Sequence, residues 1–559
     1  MRSAPPGALI DAYPETQRKL LIDKISEMAM HDCNDLEVSI AWHVDRLELT
    51  NAGGRYDICK FDGVVEQADL LPADVPVLVA CALAAVVHPD DAHKVRGTVI
   101  IFTRTEYEKA RRRRITWTKA YNDAHPKATS APNRGNATRE SSRHIVLQSK
   151  GAITLDFKAW FDFFPLDEDV TWFECFRVGD TLLRNLTMAM GKVSSTSVAT
   201  SATRVIGAFD MGDGVTFKYA TDGVIFAGPR EAVIDAAWKF VQRATQVNAV
   251  IKELEGLRDP AGNPRAPTRD DIAALWKTKD VDWVGDVIDF DAKTIRCRQK
   301  HVDRMTTFRN ACLSASATHA DFVRAWAMFQ YMSSTLGIPR SDHYSLRVHF
   351  STVARRLAAN PSMWNKPCDA RPDPTEFYSA LSRCIANTPS PIHPAPVIEA
   401  VSIVDASGVA FGGIICQRRK DGSVDVRLLQ QRWRGHEIED LNLRHSTRSE
   451  PEALARTAEA AWLPLYNSGG AHLMLTDHEG FALAHSFGGS LNPHYNARIQ
   501  SLRRHRVDTV AYTPGVTNIA DKYSRLQAFK LTAEDRAAAM VIAKRYIGRT
   551  VGEAFRIGG

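Results

Sequence analysis

The sequence predicts a multidomain α+β chain, and three observations carry that prediction. Its 559 residues, 44% hydrophobic and 24% charged, can bury a large core and should hold three or four structural units. Short β-prone runs (Ile153–Asp156, Val215–Ala220, Val224–Ala227) occupy the first half, whereas 301–387 repeats Ala, Leu, Phe and Arg at helical spacing, most clearly over Phe322–Met332. The Pro-rich stretch Thr388–Pro396, TPSPIHPAP, then reads as a semi-rigid linker before a second set of strands and helices.

Composition narrows the class. A net charge of +6 does not by itself imply nucleic acid, although local basic clusters point that way. The nine cysteines include no Cys-x-x-Cys pair or Cys/His finger spacing, which predicts no structural zinc and reduced thiols in an intracellular protein of the cytoplasm or nucleus. The longest apolar run, Val75–Val87, is too short to span a bilayer and reads as a buried helix, so no membrane role is expected. Met1–Pro14 is a polar lead-in without a secretory signal, and Gln17–Met30 reads as an amphipathic helix. No chemistry attaches to the N-terminal extension, residues 1–95.

From there each element follows from local pattern. Gly97–Thr103 is a β-branched strand, and in Glu106–Ala124 the cluster Arg111–Arg114 precedes Ile115-Thr116-Trp117 and Lys119, interleaving basic and apolar side chains as a nucleic-acid-facing strand would. Arg134–Arg143 is rich in Gly, Asn and Ser and reads as a loop. Ile153–Leu166, ITLDFKAWFDFFPL, is a strand ending at Asp156. Lys218–Gly228, KYATDGVIFAG, is a hairpin turning through Asp222-Gly223. Carboxylates at the ends of adjacent strands suit two-metal phosphoryl transfer.

Beyond the linker, Ala400–Ile415 is a strand with Asp405 at its centre, a small-residue turn and a second strand. Thr447–Trp462 starts a helix with Glu450 and Glu452 in its first turn. His472–Asp477 is a strand ending in Asp477, and Val510–Leu526 closes with Asp521. Carboxylates in the order Asp, Glu, Asp, Asp suit a site holding two Mg²⁺ for phosphodiester hydrolysis. Arg498, Arg503, Arg504, His505 and Arg506 could track a nucleic-acid backbone, or form a solvated helix face.

These motifs resemble reverse transcriptases joined to ribonuclease H. DFKAWFDFFPL is similar to motif A, and YATDGVIFAG to motif C, with Asp222 on the first Asp of its pair, Gly223 replacing the second and Ala220 the Tyr. LTMAMGKVSS resembles motif B, with Ala189 for Pro, and DWVGDVIDF resembles the primer-gripping hairpin. DASGVAFGG and YTPGVTNIADKYSRL resemble the retroelement ribonuclease H patterns over about 125 residues. The run HEGFALAHSFGGSLNPHYNARIQSLRR is most like DIRS-type, VIPER-like tyrosine-recombinase elements.

The resemblance implies a right-hand polymerase, with fingers and palm over 96–300 and helical thumb and connection over 301–387. After the 388–396 linker it implies a ribonuclease H-like α/β domain over 397–530 and a helical tail over 531–559. It implies catalytic and metal-holding roles for Asp156, Asp222, Asp405, Glu452, Asp477 and Asp521, with Glu450 the competing choice for Glu452, and two Mg²⁺ or Mn²⁺ per site. Phe161 would lie under the sugar of an incoming deoxynucleoside triphosphate, Gly191 against the template–nucleotide pair, and Arg112, Arg114 and Lys119 against triphosphate or template. The implied partners are an RNA template, a DNA primer and an RNA–DNA hybrid. Gly223 leaves two further readings open: a non-catalytic nucleic-acid-binding or assembly protein, and a ribonuclease H on an inert polymerase scaffold.

Overall fold

The computed structural model describes residues 21–50, 63–106, 111–119, 122, 139–393, 396–468, 470–550 and 553. The lead-in over 1–14, Cys59 and most of the glycine- and asparagine-rich stretch before residue 139 lie outside them. The chain is a multidomain mixture of helices and sheets, in two compact units that divide between Thr294 and Ile295.

In the first unit, helices α1 (Leu21–His31) and α2 (Leu36–Asp45) come first, the second capped by the Asp35 carboxylate on the N–H groups of Glu37 and Val38. The apolar run Val75–Val87, expected as one helix, divides: helix Val75–Ala80 gives way at Ala82, whose φ is +48°, to strand Ala84–Val86. Strands β1 (Ile100–Glu106) and β2 (Arg111–Trp117) form an antiparallel pair. The residues described from the expected loop over 134–143 belong instead to helix Arg139–Gln148.

The centre of this unit is a three-stranded antiparallel sheet of β3 (Gly151–Asp156), β4 (Thr216–Ala220) and β5 (Gly223–Gly228), in the order β3-β5-β4. The middle strand, GVIFAG, is buried at every position, which explains its unbroken apolar run. Helices α3 (Ser195–Gly207) and α4 (Arg230–Gln246) belong to the same core, in which Phe226 and Phe240 meet edge to face, 5.5 Å between centroids. Just past Asp156, Trp160 stacks on Phe157 at 4.0 Å and donates its Nε1–H to the Ala199 carbonyl at 3.1 Å. That aromatic cluster fixes the chain leaving the sheet.

In the second unit, α5 (Gln299–Leu313), α6 (His319–Thr335), α7 (Tyr344–Ala359) and α8 (Pro374–Ala386) pack around Met305, Phe329, Phe350 and Phe377. α6 opens on a Thr318/Asp321 capping box and α8 on Asp373 with Pro374 in its first turn, whereas α5 and α7 start without a side-chain cap. The Pro-rich stretch lies within this unit.

A five-stranded mixed sheet follows: β6 (Ile398–Ala406), β7 (Ala410–Arg418), β8 (Val424–Arg432), β9 (Ala471–Thr476) and β10 (Val507–Tyr512), in the order β8-β7-β6-β9-β10. β6, β7 and β8 meander antiparallel, whereas β9 and β10 run parallel to β6. Helices α9 (Ser446–Ser468), α10 (Glu479–Ser486) and α11 (Pro493–Arg504) connect the later strands, and α12 (Ala533–Tyr546) follows. Separate apolar clusters, one with Val404, Leu454 and Met474 and one with Val401, Ile414 and Ala539, reflect strands that point alternate residues to opposite faces.

Candidate functional site

The first unit places Asp156 and Asp222 together. Asp156 ends β3, and its register partner on β5 is Gly223. Asp222 lies in the tight turn between β4 and β5, and its carbonyl accepts the Phe157 N–H at 2.9 Å. The turn differs from the expected one by a residue: it is Thr221-Asp222, with Thr221 at φ +59°, and Ala220 pairs with Gly223. Gly223 therefore serves the strand rather than the turn. A Cβ there would lie 2.9 Å from Asp156 Oδ1, so any other residue would make the Asp156 side chain shift.

Burial, and next the negative charge of Asp156, push the Asp222 carboxyl above its ordinary range, while Arg113 and Lys252 pull it down. A neighbouring turn, Lys252–Leu254, adds two side chains that the sequence did not single out. Glu253 Oε2 accepts the Asp156 backbone N–H at 2.8 Å, and Lys252 Nζ lies 3.3 Å from Asp156 Oδ2. Burial also raises the Glu253 carboxyl.

The expected nucleotide-facing residues are placed as follows. Arg112 is buried and paired with Asp74, which is itself fully buried, so its charge is already met inside the fold. Arg114 is bonded to Asp162 (3.0 Å) and Asn185 (3.1 Å). The alternation of β2 puts Arg113 on the other face, exposed, and its charge acts on Asp222; a run of four arginines gives no phase by which to find it. Lys119 is exposed, and Phe161 is half-buried against the aromatic core. Gly191 has φ +118° and its Cβ would lie 2.8 Å from the Thr116 carbonyl, so its close approach is to the backbone near the end of β2.

The second unit gathers three acids more tightly. One carboxylate oxygen from each of Asp405, Glu450 and Asp477 lies within 4.8 Å of the others. Asp405 and Asp477 stand at the carboxyl ends of the parallel neighbours β6 and β9, and Glu450 is in the first turns of α9. Its Oε1 accepts the Ala406 N–H at 2.8 Å and its Oε2 the Thr476 hydroxyl at 3.3 Å, so one carboxylate ties both strand ends. Asp405 is held by the Ser524 hydroxyl and by Asn518 Nδ2 at 3.3 Å.

Glu452, the first choice from sequence, lies elsewhere. Two residues rotate a helix by about 200°, which turns Glu452 away from Glu450's direction. It pairs with Arg456 (2.9 Å) and Arg498 (2.7 Å), and Arg456 continues to Glu437 at 2.9 Å. Arg498 is thereby committed to an internal ion pair, and Arg503 reaches the Gly488 carbonyl at 3.4 Å. Asp521 pairs with Arg525 at 2.7 Å, yet its charge helps raise both Asp405 and Asp477.

Burial dominates the electrostatics of the triad. It pushes Asp405 up to about 6, with Asp477 and Asp521 adding to the rise, and holds Glu450 well above the usual range, with Asp405 contributing. Converging hard oxygen donors whose like charges oppose joint ionisation fit a divalent cation, which would supply the missing positive charge. The described cysteines are free thiols, and among the described residues no helix is long and apolar enough to cross a membrane.

No family model matches the sequence, and no curated protein matches it. Among solved structures, the chain is similar to a foamy viral protease-reverse transcriptase in complex with RNA/DNA hybrid, at 12% identity and a TM-score of 0.41, over 92% of this chain and 65% of that one. It is also similar to that protein in complex with dsDNA, at 12% identity and a TM-score of 0.41, over 91% of this chain and 98% of that one.

Proposed function

We propose that the second unit hydrolyses the RNA strand of an RNA–DNA hybrid and that the first extends a DNA primer on an RNA template with deoxynucleoside triphosphates. The observation that carries this reading is the Asp405–Glu450–Asp477 cluster at the carboxyl edge of β6 and β9, with Asp405 tied by Asn518 and Ser524 from the closing motif. Asp405, Glu450 and Asp477 would hold the cations, with Asp521 at the margin. In the first unit Asp156 and Asp222 would do so. Mg²⁺ or Mn²⁺, two per site, would supply Lewis acidity and neutralise charge on the phosphoryl oxygens. Around the first pair, Arg113 would balance phosphate charge and Phe161 would sense the sugar. A DIRS-type retroelement origin rests on the sequence resemblance alone.

A second reading, a ribonuclease on an inert polymerase scaffold, is favoured by Gly223 and by the Lys252 ammonium beside Asp156. One experiment separates the two: the full chain is given a primed RNA template with Mg²⁺ or Mn²⁺, and extension and RNA cleavage are followed together. Glu450→Gln should lower cleavage about a hundredfold or more, whereas Glu452→Gln should leave it within a few-fold; equal losses would sink the assignment. Extension abolished by Asp222→Asn supports the polymerase. Cleavage without extension supports the second reading.

A further inference from the structure

We infer that Glu253 is a positioning residue for the Asp156–Asp222 pair, and that Lys252 is the counter-ion a divalent cation displaces there. The inference rests on the reading of that pair as a cation site and concerns what holds it in shape.

The argument begins with Gly223. It faces Asp156 across the β3–β5 register, and even a Cβ would stand 2.9 Å from Asp156 Oδ1. The strand therefore brings no third carboxylate to the pair. The turn Lys252–Leu254 instead brings a carboxylate and an ammonium to Asp156, engaging it twice. Glu253 Oε2 takes the Asp156 N–H at 2.8 Å, fixing the main chain from which that side chain projects. Lys252 Nζ stands 3.3 Å from Asp156 Oδ2 and 3.8 Å from Glu253 Oε1, an ammonium between two carboxylates. Lys252 is half exposed, so its long side chain can leave without disturbing the core. The turn itself is anchored by buried Ile251 and Leu254, and the Lys158 N–H bonds the Val250 carbonyl at 2.9 Å, so Glu253 is presented from a fixed support.

The test reads Mn²⁺ binding by electron paramagnetic resonance on the full chain, with Asp405→Asn and Glu450→Gln silencing the other cluster. In that parent, Asp156→Asn should abolish one saturable site. Glu253→Ala should weaken it 10–100-fold, the usual effect of losing a partner that orients a ligand. Glu253→Gln keeps an oxygen that can accept the N–H and should stay within about threefold, and Lys252→Gln should tighten binding several-fold. Equal weakening by Glu253→Ala and Glu253→Gln would overturn the positioning role, since charge rather than acceptor would then matter; so would no effect of either. Unchanged affinity in Lys252→Gln would overturn the counter-ion role. Failure of the underlying reading shows separately, as no saturable site in the parent or one indifferent to Asp156→Asn.

Discussion

Asp405 carries a consequence for stability that can be measured without substrate. It keeps its proton to about pH 6 in the folded chain, against 3.8 as its ordinary value. Between those values the folded state binds more protons than the unfolded one, so stability falls as pH rises through the window. The total is about 3 kcal/mol at 1.4 kcal/mol per pH unit. Chemical denaturation in EDTA should therefore show the second unit less stable at pH 7.5 than at pH 4.5. Asp405→Asn should remove about 2 kcal/mol of that difference, the part of the window that lies above pH 4.5, and be the more stable protein at the higher pH. An unchanged pH profile in the variant would place the carboxylate in a wetter setting than its burial indicates. Glu450 and Glu452 show where sequence stops informing: two acids two residues apart look alike until the phase of α9 is set. That phase comes from Leu454 and Ala458 packing with Val404, contacts across strands that no local pattern announces.

At the scale of elements, long unbroken patterns were legible, whereas short ones such as Val75–Val87 and the start of helix Arg139–Gln148 were not. The continuous apolar run of β5, the almost wholly buried strands β6 and β7 and the helical spacing over 301–387 all read true. What stayed hidden arises from pairs distant in sequence, such as Glu253 on Asp156 or Arg112 on Asp74. The buried pair of Lys192 and Glu174 is another, joined by Asn185 Nδ2 on Glu174 Oε2 at 3.3 Å and, through Asn185, by Arg114. Both charges are almost fully buried. Glu174→Gln would remove the carboxylate that meets the buried Lys192 ammonium and should cost about 3–5 kcal/mol, read as a lowered denaturation midpoint. A loss below about 1 kcal/mol would mean that Lys192 finds another partner or water.

For the whole molecule, two units with separate apolar cores predict two calorimetric transitions. A cation that binds only folded carboxylates stabilises by mass action, about 2.7 kcal/mol at a hundredfold excess over its dissociation constant. Mg²⁺ should thus raise one transition through the Asp405 cluster, and Asp405→Asn should abolish that rise while leaving the other transition where it was. A single transition shifted as a block would show the units to be thermodynamically coupled.

The clearance at Gly223 also bears on how such a chain can change over time. Introducing an acid at that position brings a Cβ to 2.9 Å from Asp156 Oδ1, and since Glu253 holds only the Asp156 main chain, the half-exposed Asp156 carboxylate is the part that has to turn aside. Gly223→Asp alone is expected to lower whatever the pair does rather than improve it. An acid at position 223 and the present direction of the Asp156 carboxylate thus exclude each other, so a chain that gains the one has to re-aim the other.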